Sequence, residues 1–119
     1  MTIRVGMIGA GAIADDHCGN IKRYNGAEVV AVADISQERR EAVKKKYGLA
    51  KSYEKWEDLL ADSSIDAVAI ALPNALHAPV SKAALKSGKH VLLDKPFALS
   101  YREAKEVVDT ARKQRKVLM

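Results

Sequence analysis

The sequence predicts an α/β fold, a doubly wound parallel sheet in a three-layer α/β/α sandwich. Three observations predict it. Strand-like and helix-like segments alternate from end to end with short connections. The strand-like segments, of which Glu28 to Asp34 (EVVAVAD) is the clearest, are nearly continuous in apolar character, as strands buried on both faces are. The chemically unusual residues, Gly9, Asp34, Leu72-Pro73-Asn74 and Asp94-Lys95, stand where successive strands end. That is the edge at which open α/β sheets bind ligands.

Ile3 to Ile8 (IRVGMI) reads as the first strand, and Ala12 to about Tyr24 as the first helix, stopped by Asn25-Gly26. The second strand runs from Glu28 to Asp34. Ser36 is the expected N-cap of a helix reaching Tyr47, with Gly48 as its left-handed C-cap. Ser52 is then expected to cap a short helix carrying Trp56, Leu59 and Leu60. The turn Asp62-Ser63-Ser64 leads into a strand from Ile65 to Leu72 (IDAVAIAL), which Pro73-Asn74 breaks. A helix from about Ala78, with Pro79 tolerated in its first turn, ends at Gly88. His90 to Leu93 forms the next strand, closed by Asp94-Lys95-Pro96. Ser100-Tyr101-Arg102-Glu103 is a capping box, and Ala104, Val107, Val108 and Ala111 behind it fall on one helical face. Val117-Leu118-Met119 opens one more strand.

The 119 residues read as one domain, 1–119, with no repeat and no linker. No apolar run approaches the roughly 20 residues that span a bilayer, and the N-terminus lacks a basic region, apolar run and cleavage site. A cytoplasmic protein with no membrane partner is expected. The single cysteine, Cys18, cannot form an internal disulfide and reads as a small apolar side chain on a helix. The net charge of +5 collects in Arg39 to Tyr47 and Ala111 to Val117, near helix ends, where cations complement the helix dipole. No aromatic residues interleave with them as a base-stacking platform needs, so no nucleic-acid partner is expected.

The segment Gly9-Ala10-Gly11-Ala12-Ile13-Ala14 fits the dinucleotide fingerprint with alanine in third place. Gly9 allows the tight turn, Gly11 lets backbone approach a pyrophosphate, and Ala14 permits close packing of helix on strand. The helix start adds about half a positive charge facing the phosphates. Asp34 closes the second strand 20 residues past Ala14, the distance at which an acidic residue meets the adenosine ribose. It would repel a 2′-phosphate, which favours NAD. Arg39 and Arg40, just past the strand, keep NADP as the alternative. Ile35 is counted with the cofactor-binding residues beside Asp34.

Lys95 at a strand's end could hydrogen-bond the oxygen of a reacting carbinol or carbonyl and help polarise it, with Pro96 fixing the backbone. A solvated loop lysine explains it equally well. His77, in PNALHAP, could relay a proton or cap the loop, although a lone histidine is more often structural. Asp15, Asp16 and His17 are consecutive on a helix and point in different directions, so no metal site is expected.

Together, GAGAIA with His17, VVAVAD ending at Asp34, YEKWEDLLAD, IDAVAIALPNALHAP and SGKHVLLDKPFAL resemble the N-terminal domain of the Gfo/Idh/MocA oxidoreductases. The resemblance covers essentially the whole chain. It implies a Rossmann domain that binds NAD or NADP, followed by a second α/β domain holding an open antiparallel sheet, most substrate contacts and the homo-oligomer interface. It further implies a sugar or polyol as the small-molecule substrate. Gly9, Gly11, Ala12 and Ile13 would hold the pyrophosphate, and Asp34 the ribose. Leu72, Pro73, Asn74 and His77 would line the nicotinamide side, with Lys95 nearest the chemistry. The family signature at the last strand is Glu-Lys-Pro, in which the lysine lies near nicotinamide and substrate hydroxyl. Lys95 and Pro96 match it; Asp94 is shorter by one methylene. The family's proton-transferring aspartate and histidine belong to the second domain and have no counterpart here. By the family pattern, a fragment that binds cofactor without turnover is expected. A non-catalytic NAD(P) sensor is the rival reading, and an unpaired sheet edge at Val117-Leu118-Met119 could also self-associate.

Overall fold

The computed structural model describes all residues, Met1–Met119. β1 (Ile3–Ile8) lies in the middle of a five-stranded, all-parallel sheet. β2 (Ala27–Ala33) and β3 (Lys51–Tyr53) follow on one side, and β4 (Ala67–Ile70) and β5 (His90–Leu93) on the other, in the order β3-β2-β1-β4-β5. Between them run α1 (Ala12–Arg23), α2 (Gln37–Tyr47), α3 (Trp56–Leu60) and α4 (His77–Lys86), and α5 (Tyr101–Gln114) comes after β5.

Successive strand residues face opposite sides, and both sides are apolar. Val5 and Met7 of β1, Val32 of β2 and Ala69 of β4 pack with Ala14 and Cys18 of α1 and Val43 of α2. Ile8, Ala31, Ala33, Val68 and Ile70 point the other way, onto Leu59 and Leu60 of α3, Val80, Ala84 and Leu85 of α4 and Val107 of α5. The near-continuous apolar runs are thus the signature of a sheet covered on both faces. Cys18 is fully buried, and burial pushes its thiol up to about 11, which leaves it an unreactive packing group.

Most helix ends follow from the predicted signals. Ser36 accepts from the Arg39 amide, Gly48 turns left-handed at φ 65°, and Ser100 accepts from the Glu103 amide. The Glu103 carboxylate closes its half of the box on the Leu99 amide, one residue earlier than the motif implies. Ser52 differs from expectation. It lies within β3, paired with Val32, and α3 begins after Lys55 without a side-chain cap. The segment Lys-Ser-Tyr is polar because β3 is an edge strand, so it carries no apolar signal. A 3₁₀ turn, Asn74–Leu76, separates β4 from α4. Val117–Met119 lies parallel beside β5: the Val91 and Leu93 amides donate to the Val117 and Met119 carbonyls.

The end of the sheet where β4 begins is tied by Asp62. Its carboxylate accepts from Lys51 Nζ and the Tyr53 hydroxyl, each at 2.8 Å, and from the Ser64 amide and hydroxyl at 2.9 and 2.6 Å. These donors, Lys51 foremost, hold the Asp62 carboxyl well below the usual carboxylate range. The nearly buried Lys89 ammonium donates to the Asp62 and Ile65 carbonyls, and burial lowers its pKa. A carboxyl depressed on folding stabilises fully above its unfolded value of about 4 and loses that contribution as pH falls toward the folded value. Asp62→Asn should therefore lower the thermal midpoint at pH 7 and narrow the gap between midpoints at pH 7 and pH 3. Thermal unfolding at both pH values checks this; an unchanged gap would contradict it.

Candidate dinucleotide-binding site

The site is built at the C-terminal ends of the strands. β1 ends at Ile8, and the chain turns at Gly9, whose φ is 103°. The Gly9 amide donates to the Ala33 carbonyl at 2.8 Å, which pins the turn against the end of β2. A Cβ at Gly9 would overlap the Ala71 carbonyl oxygen, so both backbone conformation and space require glycine.

Gly11 is different. Its φ of −85° suits any residue, and a Cβ built there meets nothing within 4 Å. It is the N-cap of α1, and no side chain caps the helix. Glycine here leaves open space in front of the first-turn amides, including those of Ala12 and Ile13. An anion fits that space: it can approach the backbone closely and meet unpaired donors at the positive end of the helix dipole. Ala14 is fully buried in the layer between sheet and helix, which seats α1 close to β1.

Asp34 directly follows β2. One carboxylate oxygen accepts from the Ala10 amide at 2.9 Å and the other from the Ser36 amide at 2.8 Å. The side chain thus binds the glycine turn to the start of α2. Each oxygen keeps a further acceptor position, enough for two hydroxyl donors. Arg40 donates to the Asp34 backbone carbonyl at 3.2 Å, which brings a guanidinium to the start of the same loop. Beside it Ile35 is 86% exposed, and Ile13 on the first turn of α1 is 54% exposed. Two apolar side chains therefore stand bare at the rim of a polar cradle.

Across the sheet, Leu72 is half-buried, and Pro73 and Asn74 are exposed on the loop after β4. After β5, Asp94 is half-buried while Lys95 and Pro96 are exposed. Lys95 Nζ has neither an ion-pair nor a hydrogen-bond partner, so the ammonium is free to meet a ligand. The Asp94 carboxylate accepts from the Lys95 amide at 3.2 Å and lies 3.8 Å from His17 Nε2 on α1. His17 and Asp15 serve different contacts, Asp15 accepting from Lys46 and Tyr47 on α2. His77 opens α4 but is only 1% exposed. Its Nε2 faces the Leu72 carbonyl at 2.9 Å and its Nδ1 the Pro96 carbonyl. The ring sits behind the candidate nicotinamide wall rather than on it. Sequence reasoning did not single out Ser36 as a partner of Asp34, or the approach of His17 to Asp94. A backbone amide and a contact across elements leave no motif.

The family profile described as "Oxidoreductase family, NAD-binding Rossmann fold" matches residues 3–119. The chain belongs to the Gfo/Idh/MocA oxidoreductase family. Inositol 2-dehydrogenase of Salmonella typhimurium is 36% identical over 118 residues, covering 98% of this chain and 35% of that protein. Scyllo-inositol dehydrogenase from Lactobacillus casei, solved with NAD(H) and scyllo-inositol, superposes with a TM-score of 0.93 at 26% identity, over 100% of this chain and 36% of that one. Biliverdin reductase from Synechocystis, solved with biliverdin and NADP+, gives a TM-score of 0.91 at 32% identity, over 98% and 36%. The Gfo/Idh/MocA chain described here spans about a third of the length of these relatives. The match is to an NAD-binding Rossmann fold, and the sheet order is that of the predicted doubly wound fold.

Proposed function

We propose that this Gfo/Idh/MocA domain holds NAD for an oxidoreductase acting at a hydroxyl carbon of a sugar, polyol or related small molecule. The observation that carries the cofactor reading is the pairing of the bare Gly11 cradle with Asp34, bonded to the same turn and still able to accept. When bound, the nicotinamide supplies the hydride acceptor or donor. The first-turn amides of Gly11, Ala12 and Ile13 hold pyrophosphate oxygens. Asp34 accepts from two ribose hydroxyls, and Ile35 covers an adenosine face.

Leu72, Pro73 and Asn74 form the nicotinamide side, and Asp94 and Pro96 frame Lys95. The free Lys95 ammonium hydrogen-bonds the substrate oxygen and helps polarise it. An ammonium without a partner at this edge favours the enzyme over a sensor, which has no use for it. The sugar or polyol class rests on the inositol dehydrogenases. The likeness to a biliverdin reductase supports a reading in which substrate choice is made outside this domain. Proton transfer and the homo-oligomer interface belong to a second domain in this reading.

Calorimetric titration of the chain with NAD and NADP tests it. Tighter binding of NAD is expected, with no oxidation of inositol or glucose by residues 1–119 alone. Tighter binding of NADP would overturn the assignment of Asp34, and sugar oxidation by these residues alone would overturn the division of labour.

A further inference from the structure

The ladder between β4 and β5 ends at Ile70 and Leu93. Beyond that pair no main-chain hydrogen bond joins the loop after β4 to the loop after β5. Yet these two loops carry Leu72–Asn74 and Lys95, the groups that must stand at a fixed separation if they act on one ligand. What crosses the gap is His77. Its ring is 1% exposed, Nε2 lies 2.9 Å from the Leu72 carbonyl, and Nδ1 lies within hydrogen-bond distance of the Pro96 carbonyl. A ring carrying both protons donates to both carbonyls, and a singly protonated ring donates to one. His77 is anchored at its own end by α4, where Ala78, Val80, Ala84 and Leu85 are buried against the sheet. The bridge therefore starts from a rigid element.

We propose that His77 is a positioning residue: it ties the Leu72 and Pro96 carbonyls together behind the nicotinamide wall and so sets where Lys95 stands relative to Leu72–Asn74. It touches no ligand. This rests on the cofactor reading above, and it predicts a selective defect. Removing the bridge loosens the nicotinamide half of the site, while the Gly11 and Asp34 half, on the other side of β1, keeps its own hydrogen bonds.

The test compares NADH with ADP-ribose, which lacks nicotinamide, as ligands of the chain and of two variants. His77→Phe fills the space without a donor, and His77→Gln keeps a single donor atom, its amide nitrogen, able to reach one of the two carbonyls. His77→Phe is expected to weaken NADH by about tenfold, the equivalent of a lost buried hydrogen bond, and to leave ADP-ribose within about twofold. His77→Gln should fall between wild type and His77→Phe, and carries the test if the phenylalanine variant does not fold. Unchanged NADH affinity in the folded variants overturns the proposal. Equal weakening of both ligands also overturns it, because the residue would then serve only general stability. A wild-type chain that binds neither ligand overturns the cofactor reading itself, a result distinct from both.

Discussion

Asp34→Ala is expected to weaken NAD binding by at least about a hundredfold. Two ribose hydroxyls lose a charged acceptor, and such bonds contribute roughly 1.5–3 kcal/mol each. The same substitution strips the Ala10 and Ser36 amides of their acceptor, so the glycine turn loses its tie to α2 and the cradle loosens with it. Asp34 is only half-buried, and water can replace part of what those amides lose. The binding defect should therefore exceed the loss of stability. Asp34→Asn separates charge from shape. It keeps one acceptor and the side-chain volume but removes the repulsion felt by a 2′-phosphate, with Arg40 3.2 Å from the neighbouring carbonyl. The ratio of NADP to NAD affinity should rise in this variant. An unchanged ratio, measured by calorimetry, would mean that Asp34 does not select the cofactor.

Gly9→Ala is expected to cost more than about 3 kcal/mol of stability or to prevent folding. The substitution places a Cβ on a residue at φ 103° and drives it into the Ala71 carbonyl. Relief by a backbone shift is blocked from both sides. The Gly9 amide is bonded to Ala33, and the Ala71 amide to Ile8. Gly11→Ala is the matched control. Its backbone suits alanine and the Cβ meets nothing; the entropy gained from the unfolded chain is offset by alanine being the weaker N-cap, so stability should stay within about 1 kcal/mol of wild type. NAD affinity should nevertheless fall at least about tenfold, because the methyl group occupies the space a pyrophosphate needs. Denaturant unfolding and calorimetry on the two variants check the pair. A stable Gly9→Ala chain, or a Gly11→Ala chain with full affinity, would contradict this division between fold and site.

What the sequence makes legible follows from where the physics is local. The parallel sheet is readable because strands covered on both faces need apolar residues at every position, as Val5, Met7, Val32, Val68 and Ile70 show. Caps at Ser36, Gly48 and Ser100 are readable because a cap is satisfied within a few residues. The edge strand β3 is not, since its three polar residues take their structure from β2. Among the candidate site residues, the positions of Gly9, Gly11 and Asp34 relative to one another follow from the spacing along a βαβ unit. The place of His77 does not. Its two carbonyl partners lie 5 residues before it and 19 after it, a separation that only the folded sheet brings together. PNALHAP reads as a wall of the site, whereas in the fold the histidine ring turns inward onto the Leu72 and Pro96 carbonyls.

In the proposed function, one cradle at the C-terminal edge of the sheet holds the dinucleotide. Amide chemical-shift mapping of the labelled chain during titration with NAD tests it most directly. The largest changes are expected on Gly9–Ile13, Asp34, Ile35 and the loops around Asn74 and Lys95. Changes confined to the opposite end, around Asp62 and Lys89, or to the groove between α1 and α2 near Asn20 and Tyr47, would contradict it.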